Sequence, residues 1–225
     1  MDTKNLIYLS HPYSESTPSY GNRDSVKITP NSAISAGQTA NSSCWIFTNN
    51  HIGTHVDVPF HFDPAGRQIM DFSPAEWVFK KVALVEVPCE DAYLIDVDDF
   101  AQFSLNSDID LLLIRTGFEN FRSMDQYWNN NPGIAPAVVR YLRRAYPNLR
   151  CIGFDFISIT SWQHSDTGKA SHIEFLRPPD EQEPILAIED MSLNKISGSI
   201  DWVIISPLLF ENENGAPVTI FAKLK

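Results

Sequence analysis

Three of the chain's six histidines and one aspartate fall within a span of eleven residues, at His51, His55, Asp57 and His61. Imidazole nitrogen and carboxylate oxygen are donors that suit Zn²⁺, Mn²⁺ or Fe²⁺. A single histidine beside an aspartate is usually only a hydrogen-bonded pair, but four donors at this spacing favour a metal site. We therefore expect this segment to supply most of a divalent-metal centre.

The backbone of this segment is predicted to be a loop that enters a strand. All four donors occupy odd-numbered positions, so an extended backbone would place them on one face. A helix would bring His51 and His55 together, but the Glu of the H-E-x-x-H pattern is missing, and Gly53 and Pro59 disfavour helix. Extended residues advance about 3.3 Å each, so the two histidines need a bend to share an ion. Gly53 can supply that bend.

The roles of the last two donors follow from their spacing. Asp57 follows His55 by two residues, so both side chains leave the strand on the same side and can share a metal. His61 lies beyond Pro59, far enough along the chain to stand beside the ion. A neutral imidazole there can take a proton from metal-bound water and pass it to a leaving nitrogen or oxygen. His61 is thus the candidate general acid/base.

The elements that must position these residues are mostly strands. Short runs rich in β-branched or aromatic residues predict strands at 43–48, 82–87, 111–116, 151–157, 201–206 and 218–222. The clearest helix begins at Ala135 and ends at Pro147, between two of these strands, which is the order of a β-α-β crossover. Residues 71–77 fit a short Ser-capped helix or a simple connector, and we favour the connector. The predicted class is α/β with more strand than helix, in one domain over residues 1–225.

Composition excludes several classes of protein. With 225 residues, 43% hydrophobic and 20% charged, the chain can bury a sizeable core. A net charge of -11 argues against nucleic-acid binding, which needs a clustered Lys/Arg surface. No phosphate-binding Gly-rich loop and no G-x-S-x-G elbow occur, which disfavours nucleotide and serine-hydrolase chemistry.

The cysteines and the first residues bear on location. The three cysteines, Cys44, Cys89 and Cys151, are odd in number and lack C-x-x-C spacing, so we expect buried small hydrophobes rather than disulfides or zinc ligands. The first residues offer neither a signal-peptide core nor a membrane-spanning run. We expect a cytoplasmic protein without a membrane partner.

Residues 51–62 closely resemble the hallmark of the metal-dependent cyclase family, which includes kynurenine formamidases (arylformamidases) and isatin hydrolases. That hallmark, H-x-G-T-H-x-D-x-P-x-H-F, is matched at every fixed position. Residues 9–12 (LSHP), 114–117 (IRTG) and 152–155 (IGFD) resemble further family segments, so the likeness covers nearly the whole chain. It implies the family's swivelling β/β/α fold, a homodimer or homotetramer, and a small-molecule substrate.

The resemblance also implies the rest of the metal site. Family members carry two divalent ions, here expected to be Zn or Mn, and residues 171–176 and 185–193 resemble the segments that complete the coordination. These segments point to His172 and Glu189 as ligands, while Glu174 remains a competing candidate. The family arrangement implies that the first two histidines bind one ion and His172 the other. Asp57 and Glu189 would then bridge the ions.

The activity implied by the resemblance is hydrolysis of a small amide, cyclic amide or ester. The general acid/base would be His61, acting with a metal-activated water. Two alternatives stay open: a metal-dependent cyclase or lyase acting on a small carbonyl compound, and a non-catalytic metal-binding protein.

Two segments depart from the family pattern. Where the family continues to an aromatic residue and Pro-Gly-Asp, residues 18–22 read PSYGN, so Tyr20 takes the position of the substrate-stacking aromatic and no pathway is assigned. Residues 177–184 form a longer polar insertion, expected to reshape the pocket entrance. His164 is interpreted as a surface or hydrogen-bonded loop histidine, and His11 as either a pocket or a structural residue.

Overall fold

The structure is a computed structural model that describes residues 4–179 and 182–225. The strands are β1 Leu6–Tyr8, β2 Val26–Ser32, β3 Ser42–Phe47, β4 His55–Asp57, β5 Val78–Phe79, β6 Val82–Glu86, β7 Leu94–Ile95, β8 Leu111–Arg115, β9 Gly133–Ile134, β10 Cys151–Phe154, β11 Leu186–Glu189, β12 Ile200–Pro207 and β13 Gly215–Leu224. The α-helices are α1 Gln126–Asn129, α2 Pro136–Ala145 and α3 Ser165–Leu176. Short 3-10 helices lie at Tyr20–Asn22, Ile34–Ala36, Pro59–His61, Ile69–Asp71, Pro74–Trp77, Val97–Phe100, Phe118–Phe121 and Trp162–His164.

One mixed sheet organises the chain. Its strand order is β5-β12-β13-β4-β11-β10-β8-β6, and β1 also pairs with β13. The pairs β6/β8, β8/β10 and β10/β11 are parallel, whereas β4 is antiparallel to both of its neighbours, β11 and β13. The short strand that carries part of the hallmark motif therefore lies in the middle of the sheet.

Both faces of the sheet are covered by apolar side chains. Along β8, Leu112 and Ile114 join a buried cluster on one side, while Leu111 and Leu113 join a second cluster on the other. A strand buried on both faces needs a nearly continuous apolar run, and β8 has one. Helix α2 packs against the first cluster through Val138, Val139 and Leu142.

The strand and crossover predictions are confirmed. All six predicted strands exist, although the one predicted over 151–157 already ends at Phe154. The helix predicted between β8 and β10 is α2, and these two strands are parallel, as a β-α-β crossover requires. In the segment favoured as a connector, Pro74–Trp77 forms a short 3-10 helix, because Ser73 and Glu76 complete a reciprocal capping box.

Helix α3 is the largest element that the sequence did not predict. Three of its five buried residues, which are Gly168, Ser171, His172, Phe175 and Leu176, are small or polar. A hydrophobic-periodicity argument cannot detect such a face. The residue that most needs positioning, His172, lies on this helix.

The hairpin of β2 and β3 pairs with no other strand among the described residues. It exposes large apolar side chains, including Trp45 at 67% exposure and Ile46 at 50%. Cys44 is also exposed there, so the expectation of a buried cysteine is wrong for Cys44 and right for Cys151. Within the described ranges, no helix is both long and apolar enough to cross a membrane.

Candidate metal centre

Strand register places the first donors side by side. His55 in β4 pairs directly with Glu189 in β11, so their side chains leave the same face of the sheet. His55 Nε2 lies 3.4 Å from Glu189 Oε2 and 3.4 Å from Asp57 Oδ1. The sequence predicted that all four donors lie on one face of an extended segment. Only His55 and Asp57 do so as strand residues, because β4 spans only His55–Asp57.

A sharp bend at Gly53 brings His51 to the same group. Gly53 has φ +62°, and a Cβ atom there would lie 2.6 Å from the Tyr13 ring, so both conformation and space require glycine. After this bend His51 Nδ1 lies 2.7 Å from Asp57 Oδ1. The predicted bend is confirmed, and it places His51 beside the carboxylate of Asp57.

Helix α3 supplies His172 from the opposite side. Its Nε2 lies 3.6 Å from Asp57 Oδ2 and 3.6 Å from Glu189 Oε1. Gly168 allows the helix to approach, since a Cβ atom there would lie 2.4 Å from the Thr160 hydroxyl. The structure thus brings His172 and Glu189 to the donors of the hallmark motif.

The donor atoms fall into two overlapping groups. His51, Asp57 and His61 form one group and His55, Asp57 and Glu189 the other, with the atoms of each within 4.8 Å of one another. Asp57 belongs to both groups. The first group contains His51 and the second His55, while both histidines contact the same oxygen of Asp57, and His61 joins the first group.

One buried atom shows that a cation fits this cluster. His55 Nε2 is buried and has no hydrogen-bond partner among the described residues. Its Nδ1 lies 2.8 Å from the carbonyl oxygen of Gly53, to which an Nδ1–H can donate. That bond directs Nε2 at two carboxylates, and with a cation in place of the Nε2 proton this is the arrangement of a metal-binding histidine held by an outer hydrogen bond.

Burial and charge act in opposite directions on the two carboxyl groups. Asp57 and Glu189 are at most 4% exposed, and burial alone would raise the pKa of each. The imidazoles around Asp57 nevertheless lower its pKa well below the usual value, and His172 and His55 lower the pKa of Glu189. Both groups are therefore carboxylates at neutral pH, the form that binds cations.

His61 differs electrostatically from the other donors. It ends the 3-10 helix Pro59–His61, and its ring stacks on His51 with centroids 4.1 Å apart. Burial lowers the pKa of His61 to about 4, against the opposing charge of Asp57. The ring is neutral at pH 7 and can accept a proton.

Several outer partners of the donors were not recognised in the sequence. Glu189 Oε1 accepts hydrogen bonds from the Ser158 hydroxyl at 3.1 Å and from the Ile159 N–H at 2.8 Å. His51 Nε2 lies 2.6 Å from Asn214 Oδ1. No motif marks these residues, because the loop after β10 and the turn before β13 meet the site only in the folded chain.

A buried ion pair fixes the backbone next to two donors. Asp190, which follows Glu189, has φ +54° and accepts two hydrogen bonds from Arg122, at 2.8 and 2.7 Å, and one from Tyr127 at 2.5 Å. Its carbonyl accepts a 2.6 Å bond from the hydroxyl of Thr54, the neighbour of His55. The ion pair thus anchors Asp190, and the bond from Thr54 joins the end of β11 to the loop that carries the histidines.

A cavity of about 570 Å³ opens over the donor cluster. Tyr20 lines it beside Trp162, with ring centroids 5.0 Å apart. Phe62 also lines it and stacks on His172 at 4.8 Å. The predicted substrate-stacking aromatic thus faces the same space as the predicted metal ligands.

Other candidate residues lie outside this cavity. His164 is exposed, and Glu174 pairs with Arg140 at 2.7 Å on the surface. His11 Nε2 lies 3.7 Å from Glu119. Of the 177–184 insertion, Asp180 and Glu181 lie outside the described residues, and none of its described residues lines the cavity. The insertion was expected at the entrance, but its described part lines a separate cavity beside α2.

The fold and this donor cluster define a member of a known family. Residues 7–161 match the family described as putative cyclase, and the chain belongs to that family. Among its relatives, an uncharacterized protein of Haemophilus influenzae is 34% identical over 110 residues, which cover 48% of this chain and 78% of that one. The kynurenine formamidase of Bacillus cytotoxicus is 26% identical over 168 residues, covering 75% of this chain and 73% of the relative.

Solved structures share the fold. Isatin hydrolase A from Labrenzia aggregata, bound to benzyl benzoate, superposes with a TM-score of 0.78 at 16% identity, over 98% of this chain and 94% of that chain. A structure described as a potential metal-dependent hydrolase with cyclase activity gives a TM-score of 0.72 at 19% identity, over 96% of both chains. The predicted strand-rich fold of this family is confirmed.

Proposed function

We propose that this protein is a metal-dependent hydrolase that opens a small amide, cyclic amide or ester. The observation that carries the proposal is the buried donor cluster, in which His55 Nε2 has no hydrogen-bond partner among the described residues. The relatives named kynurenine formamidase and the structural neighbours named isatin hydrolase support hydrolysis of carbon–nitrogen bonds. The finer proposal is an arylformamidase-like or isatin hydrolase-like activity.

Five residues would hold the ions: His51, His55, Asp57, His172 and Glu189. Two overlapping donor groups that share Asp57 support two divalent ions, which we propose to be Zn or Mn. When bound, such ions polarise a carbonyl group and make a coordinated water nucleophilic near neutral pH.

The remaining residues would orient the substrate and move the proton. Tyr20 and Phe62 line the cavity and offer ring faces to an aryl group. His61, neutral at pH 7, can take the proton from the attacking water at one ring nitrogen and deliver it to the leaving nitrogen or oxygen.

The direct test of the proposal is turnover of a small panel. We expect the Zn- or Mn-loaded protein to hydrolyse formanilide, isatin or a simple aryl ester, and chelator to abolish this activity. In H₂¹⁸O each product acid should gain one labelled oxygen. Elimination from a carbonyl substrate without label uptake would favour the lyase alternative and contradict hydrolysis.

Replacing His61 separates its two possible roles. If His61 acts as the general acid/base, His61→Ala should keep the bound metal and lower kcat by about 10²- to 10⁴-fold. Elemental analysis and steady-state kinetics measure both quantities, and the exposed His164→Ala serves as the matched control. Loss of metal from His61→Ala alone would instead make His61 a ligand.

We also propose that the protein is a homo-oligomer, as the family resemblance implies, and that it is cytoplasmic, as its first residues lead us to expect. The β2/β3 hairpin supports assembly because Ile34, Trp45 and Ile46 are each at least 50% exposed. Light scattering after gel filtration should give a dimer or tetramer, and Trp45→Asp should shift it towards monomer, whereas the polar neighbour change Thr29→Asp should not. A monomeric wild-type protein would contradict the assembly.

A further inference from the structure

The mouth of the site cavity carries a cation that the chemistry described above does not use. Arg23 lines the cavity together with Tyr20 and Trp162. Its guanidinium carbon lies 5.6 Å from the centroid of the Tyr20 ring and 5.5 Å from that of the Trp162 ring. Since the two rings are themselves 5.0 Å apart, the Arg23 guanidinium lies beside this aromatic pair, in the cavity that the donor cluster also lines.

The conformation of the turn that carries Arg23 is fixed by a glycine and by side-chain hydrogen bonds. Gly21 has φ +62°, and a Cβ atom there would lie 2.3 Å from the Trp162 ring, so only glycine lets the rings pack. The Ser19 hydroxyl accepts from the Asp24 N–H at 2.9 Å and donates to its carbonyl at 3.1 Å. These bonds close residues 19–24 into a defined corner of the cavity.

The hydrogen-bonding capacity of Arg23 is largely unused. Its Nε donates to the Tyr20 carbonyl at 3.4 Å, and its terminal nitrogens make no hydrogen bond with any residue that the structure describes. The neighbouring carboxylate of Asp24 accepts instead from Thr48 at 3.2 Å and from Asn49 at 3.0 Å. A planar guanidinium with free N–H groups matches a carboxylate in charge and shape.

We propose that Arg23 is a specificity-determining residue that binds an anionic group, such as a carboxylate, on an aromatic substrate. Tyr20 contacts the ring, the donor cluster faces the scissile carbonyl group, and Arg23 binds the anion at the cavity mouth. Lys169, also at the mouth, adds a second positive charge, part of which is compensated by Asp166 at 3.9 Å. The inference rests on the proposed function and names its substrate class: aryl amides, lactams or esters that carry an acidic substituent.

Binding of non-reacting ligands tests this without turnover. Calorimetry on the metal-loaded protein measures the affinities of isophthalate and terephthalate and those of their monoamides. Every ligand then has one carboxylate that can bind the metal ions, and only the dicarboxylates have a second one for Arg23. Wild type should bind the dicarboxylates about tenfold more tightly, the size of one charge-assisted hydrogen bond. Arg23→Gln should reduce that preference to about twofold or less, and Arg23→Lys should retain part of it.

Control variants separate local binding from general charge effects. Arg140→Gln removes the same charge outside the cavity and should keep the tenfold preference, and metal content should be unchanged in Arg23→Gln. A preference that persists in Arg23→Gln, or its absence from wild type, overturns the inference. If the Arg23-dependent preference holds but no acyl compound is hydrolysed, the proposed function fails while the anion site stands.

Discussion

Asp57→Ala is expected to lose bound metal and activity together while the sheet stays folded. Asp57 contacts His51, His55 and His172 and belongs to both donor groups, so its removal weakens every candidate ion position at once. Loss of a partner that only orients a ligand costs about 10- to 100-fold in metal affinity or activity, and loss of a shared ligand should cost more. Competitive chelator titration measures the affinity, and circular dichroism measures the fold.

A matched carboxylate provides the control for this variant. Glu174 lies two residues after His172, yet its side chain pairs with Arg140 on the surface. Glu174→Gln should therefore keep metal and turnover at wild-type values. Full metal occupancy in Asp57→Ala, or loss of metal from Glu174→Gln, would contradict the ligand assignment.

Arg122→Met is expected to destabilise the protein by about 3–5 kcal/mol, the usual effect of leaving a buried charge unpaired. The Asp190 side chain is 0% exposed and accepts hydrogen bonds from two nitrogens of Arg122. The methionine variant therefore leaves a buried carboxylate without its cation. Urea unfolding at one fixed metal concentration measures the change in free energy of unfolding.

Two further variants identify the cause of this loss. Arg122→Met combined with Asp190→Asn should recover much of the stability, since the charge is gone and asparagine tolerates the positive φ of residue 190. Arg140→Met breaks an exposed pair and should change the stability by no more than about 1 kcal/mol. Equal effects of Arg122→Met and Arg140→Met would show that the pair near Glu189 has no special role.

The sequence predicted those parts of the fold whose signals are local. β8 is a run of buried aliphatic residues and α2 has an apolar face bounded by proline, so their positions were found. Helix α3 was missed because only two of its five buried residues, Phe175 and Leu176, are large and apolar. The short β11 was also missed, since four buried residues are too few for periodicity to separate a strand from a buried helical segment.

The candidate site also has a part that a single sequence segment predicts and a part that only the fold brings together. The spacing of His51, His55, Asp57 and His61 is visible within one segment, and the bend at Gly53 follows from glycine's freedom. Glu189 lies more than a hundred residues further along the chain, and only the family resemblance singled it out. Arg122, which bonds Asp190, carries no motif at all, because partners 68 positions apart meet only through the sheet.

The most direct test of the account is the metal content per chain, measured by elemental mass spectrometry on untagged protein purified without chelator. Two overlapping donor groups around Asp57 predict close to two equivalents of Zn or Mn, and both should be lost in Asp57→Ala. No bound metal, even after incubation with Zn²⁺ or Mn²⁺, would contradict the metal-dependent mechanism.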